Sequence, residues 1–495
     1  MAIDLTKFSA VARALSHVNL FASGPPKPPY GKKPTVAAVV KAINAGEPAL
    51  PLVYRTRYAD KLKAILPTAM SNPQGRLAGD SLETVTGAVY QHAANMPVAQ
   101  PLNRFLAVIS NLYRSFLDET KRAKISLPKV ETMPPLAVFQ SNGQQGPFTN
   151  PVDGMEGEFG IDVGVVSLPS AMRAHPILWA SLAHEVGGHD VLHADDGLLE
   201  EMAGKLQQHF GGGPIQPGGH ITPAQLLSLI WPWWVDEAAS DIYGLLNIGP
   251  AFALNLAFFF AGFRAPKGGL KPNDPPLLAT VSGFDPSDPS RALDVHPTDI
   301  LRLSLAIGAT QSLKGLSQAT RTAYVNDLRQ LITLCSGGAT QITLVGYVYT
   351  DNTHAVPVQV KVPIAPMQAA AEAAGSLMVS ATFKRLAGHS IQDIETWDDA
   401  DDATARHAAQ LMGAGQSAVG AGDDAHLLAG ATLALLDAPA KYTAISTLLN
   451  AALDDSYARD KIWNPLQPDP FAIRSIGWDG KLPPPPGTIT SVLAA

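Results

Sequence analysis

One cysteine, Cys335, stands in a chain of 495 residues. A single thiol closes no intrachain disulfide, and it excludes a metal cage built from thiolates. Charge is sparse as well: charged residues make up 16% and the net charge is −7. That balance gives no electrostatic reason to expect nucleic acid or an anionic membrane as partner. The N-terminal stretch MAIDLTKFSAVARALSHVNL lacks a continuous apolar signal core, because charges fall inside it, and a cytoplasmic protein is the expectation. The uncharged run from Ile242 to Phe263 has membrane-like length but contains Asn247, Pro250 and Asn255. It reads as buried helix, hairpin and helix. There is no internal repeat, and the 42 Gly and 41 Pro belong to an ordinary globular mixture in which 46% of residues are hydrophobic.

What the chain does have is concentrated around His184, in SLAHEVGGHDVLHADD, and in WVDEAASDIYG some fifty residues later. His184, Glu185 and His189 have the types of two metal-binding histidines and a general base, with Glu237 as a third ligand. The common zinc-hydrolase helix carries His-Glu-x-x-His, whose histidines are four apart and share one face. Here they are five apart. In a regular α-helix that spacing turns the second imidazole roughly 140° away from the first. A π-bulge absorbs the extra residue and restores the alignment, and such bulges concentrate at functional sites. Gly187 and Gly188 lie between the ligands, where glycine weakens a helix by roughly 1 kcal/mol each, so close approach or local distortion is expected there.

Glu237 and Asp241 are four apart, which places both carboxylates on one helical face. With two histidines, the glutamate completes three protein ligands and leaves a fourth position for water, a donor set suited to Zn2+. Asp241 then has the task of accepting the free ring N–H of a ligand histidine.

HEVGGH at 184–189 and EAASD at 237–241 resemble the two motifs of the gluzincin peptidases. The first is similar to the His-Glu-x-x-Gly-His form of the dipeptidyl peptidase III family, in which one extra residue separates the histidines. That family's second helix usually carries a cysteine and ends in glutamate, whereas this chain has Ala238 and Asp241. The resemblance covers these two helices, well under half of the chain. It implies a zinc-peptidase mechanism, with a zincin-like catalytic domain and a peptide or protein substrate, more readily than it implies dipeptide release.

Other readings compete at individual positions. His189 and His193 are also four apart with Asp190 beside the first, so HDVLH is an Asp variant of the short motif, in which Asp190 would act as base; His193 is alternatively an outer or surface residue. His296, fifty-nine residues beyond Glu237 in LDVHPTDILRLSLAIG, precedes a helix that starts after Pro297 and carries Arg302. His296 or Arg302 is a candidate to stabilise an oxyanion, and helix-entrance packing is the equal alternative for the histidine. Tyr243 is a further candidate donor, with a core tyrosine as the plainer reading.

Organisation follows from texture. The fold expected is α+β and mainly helical: a zincin-like domain with a small β-sheet and two metal-ligand helices, flanked by helical regions. Length favours about three domains, placed at 1–130 (helical), 131–335 (catalytic) and 336–495 (a β-hairpin plus helices). GPPKPPYGKKP at 24–34 reads as a linker or surface loop. LAVFQ at 136–140 reads as a strand, and EGEFGIDVGVVSLPSAM from Glu156 to Met172 as a strand ending at Pro169, either an exposed edge beside the active helix or an interior strand. GGGPIQPGGH at 211–220 breaks the helix between the two motifs. QITLVGYVYTDNTHAVPVQVKVPI reads as a hairpin across Asp351 to Thr353, followed by helices at about 366–385, 401–413, 424–437 and 441–457. WDDADD at 397–402 is a helix start rather than a calcium loop, and KLPPPPGT an extended tail.

Two classes of function remain. One is a metallopeptidase in which Glu185 takes a proton from water at the metal and passes it to the leaving amine. The other is a non-catalytic binding protein with a structural zinc site; hydrolysis of a non-peptide amide or ester is a third option. A structural site needs no carboxylate next to its first ligand, so Glu185 favours the enzyme.

Overall fold

The computed structural model describes residues 34–71, 80–94, 96–117, 133–141, 146–211, 222–264, 295–349 and 355–463, with a few isolated residues between them. The segments 24–34 and 211–220 and the proline-rich tail lie largely outside the described residues, as does the turn from Asp351 to Thr353. Among the described residues the protein is mainly helical with two small sheets. Among the described residues no helix is long and apolar enough to cross a membrane.

The N-terminal helices are α1 (Val36–Gly46), α2 (Lys61–Ser71), α3 (Asp80–Tyr90) and α4 (Ala99–Leu117). α1 starts where Thr35 accepts from the Ala38 amide, filling one of the donors a helix start leaves unpaired. The first sheet runs β1 (Leu136–Phe139), β3 (Val165–Leu168), β2 (Phe148–Asn150) in spatial order. β1 lies parallel to β3, and β2 antiparallel to it with Thr149 opposite Val166. The strand expected from Glu156 to Met172 is therefore corrected in two ways. Residues 152–159 form α5 (Val152–Phe159), ended by Gly160 in the left-handed region at φ 64°. Only Val165–Leu168 is strand, and it occupies the interior of the sheet. The alternation that reads as one long strand is interrupted at Gly160, where a helix closes, and the strand begins only at Val165.

A short 3-10 stretch leads into a π-helix, His184–Val191. α6 (Leu198–Phe210) and α7 (Pro223–Trp233) follow, then α8 (Val235–Ile248) and α9 (Ala251–Arg264), separated by Gly249 at φ 69°. The run 242–263 is thus two helices around a glycine-centred turn. Its polar residues are satisfied inside the protein: Asn255 donates to the Ile177 carbonyl at 2.6 Å and accepts from the Ser181 amide at 3.0 Å. α10 (Asp299–Ser312) and α11 (Gln318–Cys335) precede the hairpin of β4 (Gln341–Tyr349) and β5 (Ala355–Pro363). Then come α12 (Ile364–Ser380), α13 (Asp399–Gly413), α14 (Asp424–Asp437) and α15 (Tyr442–Arg459). WDDADD behaves as its acidic pattern implies, with Asp398 accepting from the Ala400 and Asp401 amides at the start of α13.

One apolar core extends from Val11 to Trp463. Its centre is α8, buried continuously from Glu237 to Ile248. The C-terminal region closes onto the N-terminal one: Arg104 of α4 meets Asp454 of α15 at 2.6 Å, and the Trp463 indole donates to the Leu106 carbonyl.

Candidate metal centre

Two helices of different kind make the site. In the π-helix the amide of Leu192 donates to the Gly187 carbonyl, an i to i−5 bond that widens each turn. The widening brings His189 onto the same side as His184, whose Nε2 lies 3.2 Å from Nε2 of His189. The two glycines let α8 approach. A methyl at Gly188 would lie 2.0 Å from Cβ of Ser240, so no larger residue fits without separating the helices.

α8 supplies the carboxylates. Glu237 Oε2 is 3.1 Å from Nε2 of His184, and its Oε1 is 3.5 Å from Nε2 of His189. A tetrahedral zinc ion with ligand bonds of about 2.0–2.1 Å has ligand-to-ligand edges of roughly 3.3 Å. The observed separations match those edges. Nδ1 of His184 lies 2.9 Å from Oδ1 of Asp241 and 3.0 Å from Nη2 of Arg302, and Nδ1 of His189 lies 3.1 Å from Oδ1 of Asp236, so a proton on each Nδ1 would be received by a carboxylate. Both Nε2 atoms are then lone-pair donors converging on a buried carboxylate. Oε2 of Glu237 is itself buried without a hydrogen-bond partner. Three electron-pair donors this close repel one another unless a cation lies among them, so the residues fit a divalent ion.

The charges of this group act strongly on one another. Burial alone would raise the Glu237 carboxyl, but the facing His184, His189 and His296 hold it well below the usual carboxylate range. Burial and the Arg302 guanidinium push His184 down, and Asp241 and Glu237 outweigh them.

Glu185 follows the first ligand and is buried at 7% exposure. The hydroxyl of Thr149, on β2, lies 3.0 Å from its Oε2. The same hydroxyl lies 3.0 Å from the Glu185 backbone carbonyl, so the strand is fastened to the π-helix at this residue. Among the described residues β2 has only β3 beside it and forms an edge of the sheet.

The remaining candidates are placed as follows. His296 reaches the centre: its Nε2 lies 3.1 Å from Oε1 of Glu237, on a side chain 53% exposed at the open side. Arg302 lies behind the ligands. Its Nε–H and Nη2–H donate to both oxygens of Asp241 at 2.7 Å, which directs the guanidinium at this carboxylate rather than at a substrate oxygen. Tyr243 is a core residue: its hydroxyl donates to the Leu112 carbonyl, and burial raises its phenol well above the ordinary value. Asp190 is turned inward, accepting from the Val152 amide at 2.8 Å, and burial raises its carboxyl to about 7. The HDVLH alternative thus lacks a base facing the histidines. His193 lies between Asp236 and Asp153, 3.2 and 3.1 Å away.

The sequence gives little warning of Thr149 and Asp153. They come from a three-residue strand and the first turn of a short helix, and no spacing links them to the motifs. Asp236 is signalled only by preceding Glu237 in VDEAASD.

No family model matches this chain, and neither a curated protein nor a solved structure matches it.

Proposed function

We propose that the protein is a zinc-dependent hydrolase of the zincin-like kind, a gluzincin-type peptidase acting on peptide or protein substrates. One observation carries the reading: Glu185, which the metal group does not use as a ligand, is buried beside it and held by Thr149. A purely structural site has no use for a carboxylate fixed in that place. Zinc bound at His184, His189 and Glu237 would supply Lewis acidity for a scissile carbonyl and lower the pKa of a water.

The chain's own residues account for the rest. Glu185 accepts the water proton at a carboxylate oxygen and returns it to the leaving amine. Thr149 restrains that carboxylate through its Oε2 contact. Asp241 and Asp236 orient the ligand histidines, and Arg302 neutralises Asp241 so that the pair is tolerated in the core. The edge strand β2 offers backbone groups beside Glu185, where an extended peptide can add by strand pairing.

The test is digestion of a peptide library by zinc-loaded protein, with Glu185→Gln as control. Cleavage confined to the unsubstituted protein is expected. Equal residual cleavage in both, with zinc verified in each, would remove the peptidase reading.

A further inference from the structure

The imidazole of His189 faces two ways. Its Nε2 belongs to the group with His184 and Glu237, while its Nδ1 lies 3.1 Å from Oδ1 of Asp236. That same oxygen lies 3.2 Å from Nε2 of His193. Potential ligand atoms of His189, His193 and Asp236 all fall within 4.8 Å of one another. Nδ1 of His193 rests on Oδ2 of Asp153 at 3.1 Å, repeating the way Asp241 holds Nδ1 of His184. A carboxylate on one ring nitrogen fixes the tautomer and presents the other nitrogen to a cation. Here the presented nitrogen meets a carboxylate oxygen at the distance of a tetrahedral edge, and a cation must lie between them. A proton on His193 is one such cation; a divalent ion is the other. The cluster is open to ions from solvent, since the Asp236 and Asp153 side chains are 43% and 48% exposed.

We propose that His193, Asp236 and Nδ1 of His189 form a second, outer divalent-metal site joined to the inner one through the His189 ring. Two nitrogens and one carboxylate suit an ion of the zinc or cobalt kind. Filling both sites transfers the Nδ1 proton of His189, and any proton on Nε2 of His193, to solvent. His189 then bridges as imidazolate, and Asp236 exchanges its contacts with the two rings for a bond to the ion. Because a metal-bound imidazole must lose this proton, the outer ion binds more weakly and fills after the inner one. The bridge rests on the inner group being a metal site; the outer donors do not.

The experiment is equilibrium dialysis of metal-free protein against Co2+, with visible absorption and electron paramagnetic resonance, on the unsubstituted chain and on His193→Gln, Asp153→Asn and His184→Asn. Two ions should bind in separate steps, with the resonance intensity per cobalt falling as the second enters, because an imidazolate couples the spins. His193→Gln should stop at one ion. Asp153→Asn should weaken the second step by roughly 10- to 100-fold, and it keeps the test alive should His193→Gln fail to fold. His184→Asn should lose the tight step and keep the weak one, which separates failure of the inner site from failure of the outer. Saturation at one ion per unsubstituted chain in excess cobalt overturns the proposal, as does a second step unchanged in His193→Gln. Two ions without any loss of intensity per cobalt overturn the bridge.

Discussion

The ring of Tyr243 lies directly against the backbone of Gly187, so close that a β-carbon on the glycine would fall 1.6 Å from the ring's Cδ1. Tyr243 is in turn fixed by its hydrogen bond to Leu112 and by an edge contact with Phe116. Neither side can move far. The first prediction is that Gly187→Ala forces the ligand helices apart, costing at least the roughly 1–3 kcal/mol typical of core overpacking. Chemical denaturation measures it, and a stability equal to the parent's would refute the tight apposition.

Metal retention should follow the converging donors. After exhaustive dialysis we expect about one zinc per chain, lost in His184→Ala, His189→Ala and Glu237→Ala. Elemental analysis decides, and full zinc after changing Glu237 would exclude it from the ligands.

His296 touches Glu237 rather than standing alone across the site. His296→Ala should therefore weaken zinc by roughly 10- to 100-fold, as losses of groups that orient ligands do. Competition with a chromogenic chelator reads this directly. Unchanged affinity with a large fall in turnover would instead return His296 to the oxyanion role.

Arg302→Met should destabilise strongly, because Asp241 would remain as a buried carboxylate without its cation. Breaking one side of such a pair costs about 3–5 kcal/mol. Denaturant midpoints test this; adding Asp241→Asn to Arg302→Met should recover part of the loss, and no recovery would count against the pairing argument.

A pH dependence is expected at His426, which is not among the residues of the candidate metal centre. Burial pushes His426 down, but Asp401 and Asp423 raise it from 6.5 to about 9. Its folded-state pKa is higher than its unfolded one, so its contribution is complete below 6.5 and is lost as pH rises through 9. Stability measured across that window should fall, and His426→Gln should flatten the decline. An equal decline in the variant would assign the effect elsewhere.

Much of the site was legible because its chemistry is written at short range. The five-residue gap between His184 and His189 already demands a π turn, since helical geometry alone misaligns them, and glycines between them already announce close contact. Glu237 and Asp241 share a face by their spacing. The helices of the last third and the hairpin strands were equally readable from their periodicity. Local pattern could not assign partners. Arg302 reads as a candidate oxyanion donor until the fold sets it on Asp241. Tyr243 reads as a core tyrosine or a donor, and its hydrogen bond to the Leu112 carbonyl selects the core. Thr149 carries no signal at all, because its contact with Glu185 joins a short strand to a helix 36 residues away. Of the strand expected from Glu156 to Met172 only Val165–Leu168 is one, for the same reason: alternation fits a strand edge or a helix end equally, and only packing against β1 and β2 selects. Sequence determined which side chains share a face, through spacing within each helix; tertiary structure decided which of them face each other, since that depends on how separate elements bury their surfaces.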